Sequence, residues 1–201
     1  MTESKVERNK RLKKEKLEES GYELFMNNTF DKTSIDQIVK KAGVAKGTFY
    51  LYFEDKKQLL NRVIMKKSGD ILMEALTQAN YLQLDNKLDQ FIVMVDCILD
   101  YFKENQNILE VVRNHLSWDN ILQDLGNNQN YSIQVMMKEY VELIMTNKNY
   151  TQKEAIQTIY VIFELVSSVA YASIIVKKPF EVNEIKPMLY ASIRSMIRSN
   201  S

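Results

Sequence analysis

A chain of 201 residues with 45% hydrophobic and 26% charged side chains is long enough for one sizeable core or two modest ones, with the balance of an ordinary soluble protein. Five Gly and two Pro, in a chain rich in Leu, Ile, Lys, Glu, Gln and Met, favour an all-α fold; one Cys excludes an internal disulfide, and one Cys with one His excludes an ordinary zinc site, so no metal is expected. Net charge is +1, but residues 1–67 carry +6 and residues 68–201 carry −5, an asymmetry that suits a nucleic-acid contact in the first third.

The charged start, MTESKVERNKRLKKEK, has no apolar core of the kind a signal peptide needs, and the expected compartment is the cytoplasm. Ser4 with Glu7 three residues on has the pattern of a capping box and opens a helix predicted to reach Asn27, where Asn27-Asn28-Thr29 ends it. Leu17, Leu24 and Phe25 keep to one face, and Gly21 offers a point of close approach for another helix. The opposite side carries Arg8, Lys10, Arg11, Lys13 and Lys14, a run that suits a solvated helix end and a phosphate-contacting arm equally well.

Thr33 or Ser34 caps a second helix running to Lys41, with Ile35, Ile38 and Val39 at helical spacing. Ala42-Gly43-Val44 breaks it, and a third short helix spans about Ala45 to Leu51. Two short helices about a glycine turn, here Ser34 to Phe53, make a helix-turn-helix. In that motif the second helix lies in the major groove with its first turn against the base edges, which singles out Lys46, Gly47, Thr48 and Tyr50. The Thr33 or Ser34 hydroxyl, with the backbone N–H groups beside it, could hold a DNA phosphate. Phe49 and Phe53, four apart, point to the core, and Ala45 supplies no capping side chain, so this helix depends on packing through Val44, Phe49 and Phe53. Asp55 opens a long helix to about Ala79 that would bury Leu59, Leu60, Val63, Ile64, Ile71, Leu72 and Leu76.

The run from Leu17 to Leu60, with its segments LEESGYELF, FDKTSIDQIVKKAGVAKGTFYLYF and DKKQLL, resembles the DNA-binding domain of the tetracycline-repressor (TetR) family of bacterial transcription regulators. The resemblance covers the first quarter to third of the chain; it departs from the family at Thr29, where many members have Gly, and at Ala45, where many have a capping Ser. It implies phosphate contacts at Thr33, Tyr50, Tyr52 and Lys56 and base contacts at Lys46, Gly47 and Thr48. It also implies a three-helix DNA-binding domain over residues 1–54 and a larger helical effector-binding and dimerisation domain over 55–201, about nine helices in all. The corresponding function is that of a homodimeric repressor on a pseudo-palindromic double-stranded operator, with a small-molecule effector and no cofactor.

Beyond residue 80 the expected helices are Leu84 to Glu104, Ile108 to His115, Gln129 to Thr146, Ala155 to Val176 behind a second capping box of Thr151 and Glu154, and Asn183 to Arg198. Ser117 to Asn130, with Gly126-Asn127-Asn128, reads as a connector containing one helical turn. Ala155 to Val176 is long enough to span a bilayer. Glu164 near its middle, with Gln157, Thr158, Ser167, Ser168 and Ser173, makes insertion costly, and a buried bundle helix explains the same composition, so no membrane partner is expected. The last two helices, about residues 151–198, would pair with their copies in a second subunit as a four-helix interface, the small residues Ser167, Ser168, Ala170, Ala172 and Ser173 letting backbones approach.

The family resemblance implies a ligand pocket between residues 84 and 176. His115 and Trp118 bracket the irregular segment, and Met94, Met136, Met137, Tyr140 and Phe163 could supply a soft lining, although such residues at helical spacing also suit a filled core. Cys97 reads as a small buried hydrophobe. Glu164 shares a stripe with Gln157, Tyr160, Ser168 and Tyr171, which either faces the pocket and favours cationic or hydrogen-bonding ligands or lies at the dimer interface. Two rival functions stand beside the sensor: a larger domain that docks a protein partner, and an enzyme. The sequence offers the enzyme no His-bearing triad, metal constellation or glycine-rich phosphate loop.

Overall fold

The structure, a computed structural model, describes residues 4–28, 30–127 and 131–198; all the regular structure among them is helical, in ten α-helices. Thr29, Asn128 and Gln129 lie outside the described residues. Two compact units divide the chain at Lys66/Lys67.

The N-terminal unit holds α1 (Lys5–Asn27), α2 (Ile35–Ala42), α3 (Lys46–Tyr50) and the first turns of α4 (Lys56–Tyr81). The caps are sequence-local. Ser4 and Glu7 form the expected capping box, Ser34 and Gln37 form another, and Gly43 closes α2 at φ 66°, a left-handed conformation that costs glycine little. Leu17, Ile38, Phe49 and Leu59 are fully buried at the centre. A Cβ on Gly21 would lie 2.8 Å from Leu59 Cδ2, so the glycine is what lets α4 approach α1. Glu18, only 5% exposed, receives hydrogen bonds from Arg62 Nε at 3.2 Å and Lys66 Nζ at 3.3 Å, the pairing a buried carboxylate requires. These ties hold residues 56–66 of α4 in the N-terminal unit. The division between the two compact units therefore falls inside α4.

The C-terminal unit contains the rest of α4, α5 (Lys87–Glu104), α6 (Gln106–His115), α7 (Trp118–Asn127), α8 (Tyr131–Lys148), α9 (Gln152–Ala170) and α10 (Val182–Ile197). α9 ends in π-helical turns over Tyr171–Val176. α7 corrects the expected connector: Ser117 accepts a hydrogen bond from the Asn120 N–H at 3.2 Å and donates its own N–H to Asn120 Oδ1 at 3.1 Å, starting a helix that Trp118, Ile121 and Leu125 continue at helical spacing. α9 packs on α5, α8 and α10, with Ala155, Ile159 and Ile162 buried.

Gln152–Val176 is long and apolar enough to cross a membrane, yet only 28% of its most apolar window is buried within the chain. An apolar helix covered on one side needs a second partner on the other. α10 is strapped to α5 by ion pairs on one face: Lys186 to Asp96 at 2.6 Å and to Asp100 at 2.5 Å, Tyr190 to Asp96, and Arg194 to Asp89.

Candidate nucleic-acid interface and effector cavity

α3 hangs on one side chain. Phe49 is fully buried against Phe53 at 5.7 Å between ring centroids, while Tyr50 is 53% exposed and Thr48 half-buried. Ala45 contributes no side-chain cap, as its sequence suggests, and the helix start rests on a backbone bond from Thr48 N–H to Ala45 O at 2.8 Å. Gly47 is exposed, and a Cβ added there would meet nothing within 4 Å. Glycine in a helix costs about 0.5–1 kcal/mol relative to alanine, and nothing within the chain requires it here. The absent side chain leaves a flat spot on the outer face of α3, between Lys46 and Thr48, where a base-pair edge could approach closely.

Lys46 Nζ lies 2.8 Å from Asp36 Oδ1, and that hydrogen bond raises the ammonium above its ordinary pKa. Both side chains are well exposed, at 55% and 71%, so the pair is a weak surface bridge that a phosphate or base can replace cheaply. Ser34 spends its hydroxyl on the Gln37 N–H at 3.2 Å. Tyr52 is half-buried beside α3.

One expected phosphate contact, Thr33, is corrected, and a second, Lys56, is largely engaged within the fold. Thr33 is 1% exposed; its hydroxyl points at Leu24 O at 3.4 Å and its N–H at Phe30 O at 3.2 Å, so neither group reaches the surface. Lys56 is half-buried and turned inward. Its Nζ donates to Phe30 O at 2.6 Å and to Thr33 O at 2.7 Å and lies 4.1 Å from the centre of the Phe30 ring. Lys56 is therefore a clamp on the turn that delivers α2, with at most one ammonium proton left for a phosphate. A cation at this spacing cannot announce that it faces inward, because its acceptors are main-chain carbonyls more than twenty residues away.

The free cations lie further out. Residues 4–13 are exposed on every side and the first fully buried residue of α1 is Leu17, so about three turns of helix, roughly 18 Å at 1.5 Å per residue, stand clear of the core. This end carries Arg8, Lys10 and Lys13; Arg11 is partly engaged with Glu15 at 2.9 Å.

In the C-terminal unit, a cavity of about 180 Å³ is lined by α4, α5, α6, α7, α8 and α9. Met94, Trp118, Met136 and Phe163 line it as anticipated. His115, Tyr140 and Glu164 do not, and these three are corrected. Tyr140 is 2% exposed and packed edge-on against Phe91 at 4.5 Å, burial lifting its phenol far above the usual range. His115 sits half-buried at the end of α6, off the cavity wall. Glu164 is exposed on the outer side of α9, together with Gln157, Tyr160 and Ser168. The inner side of α9 presents Ile159, Ile162, Phe163, Val166, Ser167 and Ala170, so Ser167 and Ala170 belong to the cavity and not to a subunit interface. Cys97 is half-buried, and burial pushes its thiol up, away from reactivity.

Residues 19–63 match the family model of bacterial regulatory proteins, tetR family. The uncharacterized HTH-type transcriptional regulator YvdT of Bacillus subtilis (strain 168) is 50% identical over 48 residues, 24% of this chain; the match spans 25% of YvdT's own length. A crystal structure of a putative tetR family transcription regulator from Shewanella sp. PV-4 superposes with a TM-score of 0.64 at 14% identity, over 90% of this chain and 95% of that one. The transcriptional regulator FadR from Bacillus subtilis, in complex with stearoyl-CoA, superposes with a TM-score of 0.62 at 15% identity, over 91% and 98%.

Proposed function

We propose that this chain, whose residues 19–63 match the tetR family model, is a homodimeric transcriptional repressor that reads a pseudo-palindromic operator through α3 and is released by a small apolar effector. The observation that carries the DNA reading is the outer face of α3, where Lys46, Gly47, Thr48 and Tyr50 are presented around a glycine that the fold itself does not need. Arg8, Lys10 and Lys13 on the free end of α1 supply phosphate contacts that fix position without reading sequence.

Dimerisation is supported by the outer surfaces of the last two helices. Val161 of α9 is 48% exposed and Met188 of α10 66% exposed, apolar surface that a second copy would cover. Glu164 lies on that same outer face. The effector role rests on the largely apolar cavity, which a protein-docking domain would not require. Its wall includes Ser68, Ile71 and Leu72 of α4, the helix that also packs in the N-terminal unit. A coupling of about 1–3 kcal/mol between ligand and operator is enough for regulation.

The test is selection of DNA from fragmented genomic DNA on the purified protein, followed by Thr48→Ala. Enrichment of one pseudo-palindrome, with base preference relaxed in the variant, is the expected result. If no sequence is enriched over the starting pool, the proposal fails.

A further inference from the structure

Five hydroxyls inside the helices of this chain settle on the carbonyl four residues back: Thr77 on Met73 O, Thr146 on Glu142 O, Thr158 on Glu154 O, Ser173 on Val169 O and Ser192 on Met188 O. Ser68 in α4 does not. Its Oγ is shut off from solvent and has no hydrogen-bond partner among the described residues, and Ser68 is one of the residues that line the cavity. An unpaired buried hydroxyl is a standing penalty that a bound molecule can remove. Apart from Ser167 and Arg113 the rest of the wall is apolar, with Phe91, Met94, Trp118, Met136 and Phe163. Arg113 also reaches the cavity but is exposed, so its charge is solvated at the mouth.

Size narrows the ligand. An apolar-walled cavity of about 150 Å³ holds one benzene, and this one measures about 180 Å³. That volume accommodates a single ring or a short branched chain. A charged group seated among these side chains would be buried without a partner.

We infer that Ser68 is the ligand-orienting residue of this cavity, and that its ligand is a compact, uncharged, largely apolar molecule of about one ring carrying one hydrogen-bonding group that meets Ser68 Oγ. The inference rests on the effector-cavity reading above. Trp118 is the single tryptophan of the chain and lines the cavity, so its fluorescence reports occupancy directly. The full chain and its Ser68→Ala variant are titrated with phenol, toluene and benzoate. The expected result is a preference of about five- to tenfold for phenol over toluene in the native protein. In Ser68→Ala the two should bind equally, toluene no more weakly than before, and the unliganded variant should melt at the same or a higher temperature because it loses an unpaired hydroxyl. A phenol preference that survives in Ser68→Ala overturns the assignment of Ser68. Preferential binding of benzoate overturns the uncharged class in favour of an anion held by Arg113. If none of the probes perturbs Trp118 while specific DNA is still bound, the cavity itself is not an effector site and the larger reading falls with the inference.

Discussion

Three glycines of the N-terminal unit, each changed to alanine, should give three different results, and Gly47 is the informative one. Gly47→Ala places a methyl in open space, in a helical position outside the left-handed region. Removing the glycine penalty should stabilise the unit by about 0.5–1 kcal/mol. At this chain length that corresponds to a rise in Tm of about 1–4 °C. The same methyl stands on the face offered to DNA and should cost about 1–3 kcal/mol in operator affinity, the scale of a lost base contact, or roughly 5- to 150-fold. Gly21→Ala should do the reverse, since its methyl would meet Leu59 Cδ2 at 2.8 Å: overpacking of about 1–3 kcal/mol lowers stability. Gly43→Ala strains a backbone at φ +66° and should also destabilise, by about 1 kcal/mol. Thermal melts and operator titration on the three variants decide the matter. A Gly47→Ala protein that is more stable and binds its operator as tightly as the native chain would refute the claim that this glycine exists for close approach to DNA.

Lys56→Met should remove two charged hydrogen bonds to Phe30 O and Thr33 O and lower stability by about 1.5–3 kcal/mol in urea denaturation, with DNA affinity reduced equally for all sequences. Val161→Lys should leave the fold intact and yield monomers in sedimentation, because it places a charge on an exposed apolar face of α9; a dimer that persists would move the interface elsewhere. The α5–α10 strap should be sensitive to acid. Burial pushes the Asp96 carboxyl up, but the hydrogen bonds from Lys186 and Tyr190 outweigh it and hold the group below its ordinary value of 3.8. A depressed carboxyl stabilises above its unfolded pKa and loses that contribution as pH falls through the folded value. Lys186 and Tyr190 are held above their ordinary 10.5 and 10.0, so their share persists at neutral pH and is lost only in strong alkali. Denaturation midpoints of Asp96→Asn and the native chain should therefore differ at pH 7 and converge in acid, once the pH has fallen through the lowered value of the Asp96 carboxyl.

What was legible in the sequence was what is local. Ser4 with Glu7, Ser34, and Thr151 with Glu154 declare helix starts within four residues, and the left-handed Gly43 declares the turn between α2 and α3. Phe49 and Phe53 declare the buried side of α3 by their spacing. Contacts made across long stretches of chain left no such mark. Glu18 finds Arg62 and Lys66 forty-four and forty-eight residues on, and Lys56 finds carbonyls on the turn before α2, so a lysine that looks like a phosphate ligand is a clamp. α9 shows the limit of periodicity. Its apolar residues occupy most of the circumference, the i, i+3, i+4 rule groups Gln157, Tyr160, Glu164 and Ser168 correctly, and nothing in that grouping says whether the stripe points inward; it points outward. Ser68 carried no signal at all, since its distinction is a hydrogen bond it does not make.

Most directly, the account is tested by the salt dependence of binding to the selected operator. Two or three cationic contacts from each subunit of a dimer, drawn from Lys46 and the free end of α1, predict a log-log slope of roughly −4 to −5, with tighter binding than to unrelated DNA at every salt concentration. A slope near zero, or equal affinity for unrelated DNA, would contradict the claim that this chain reads a DNA sequence through α3.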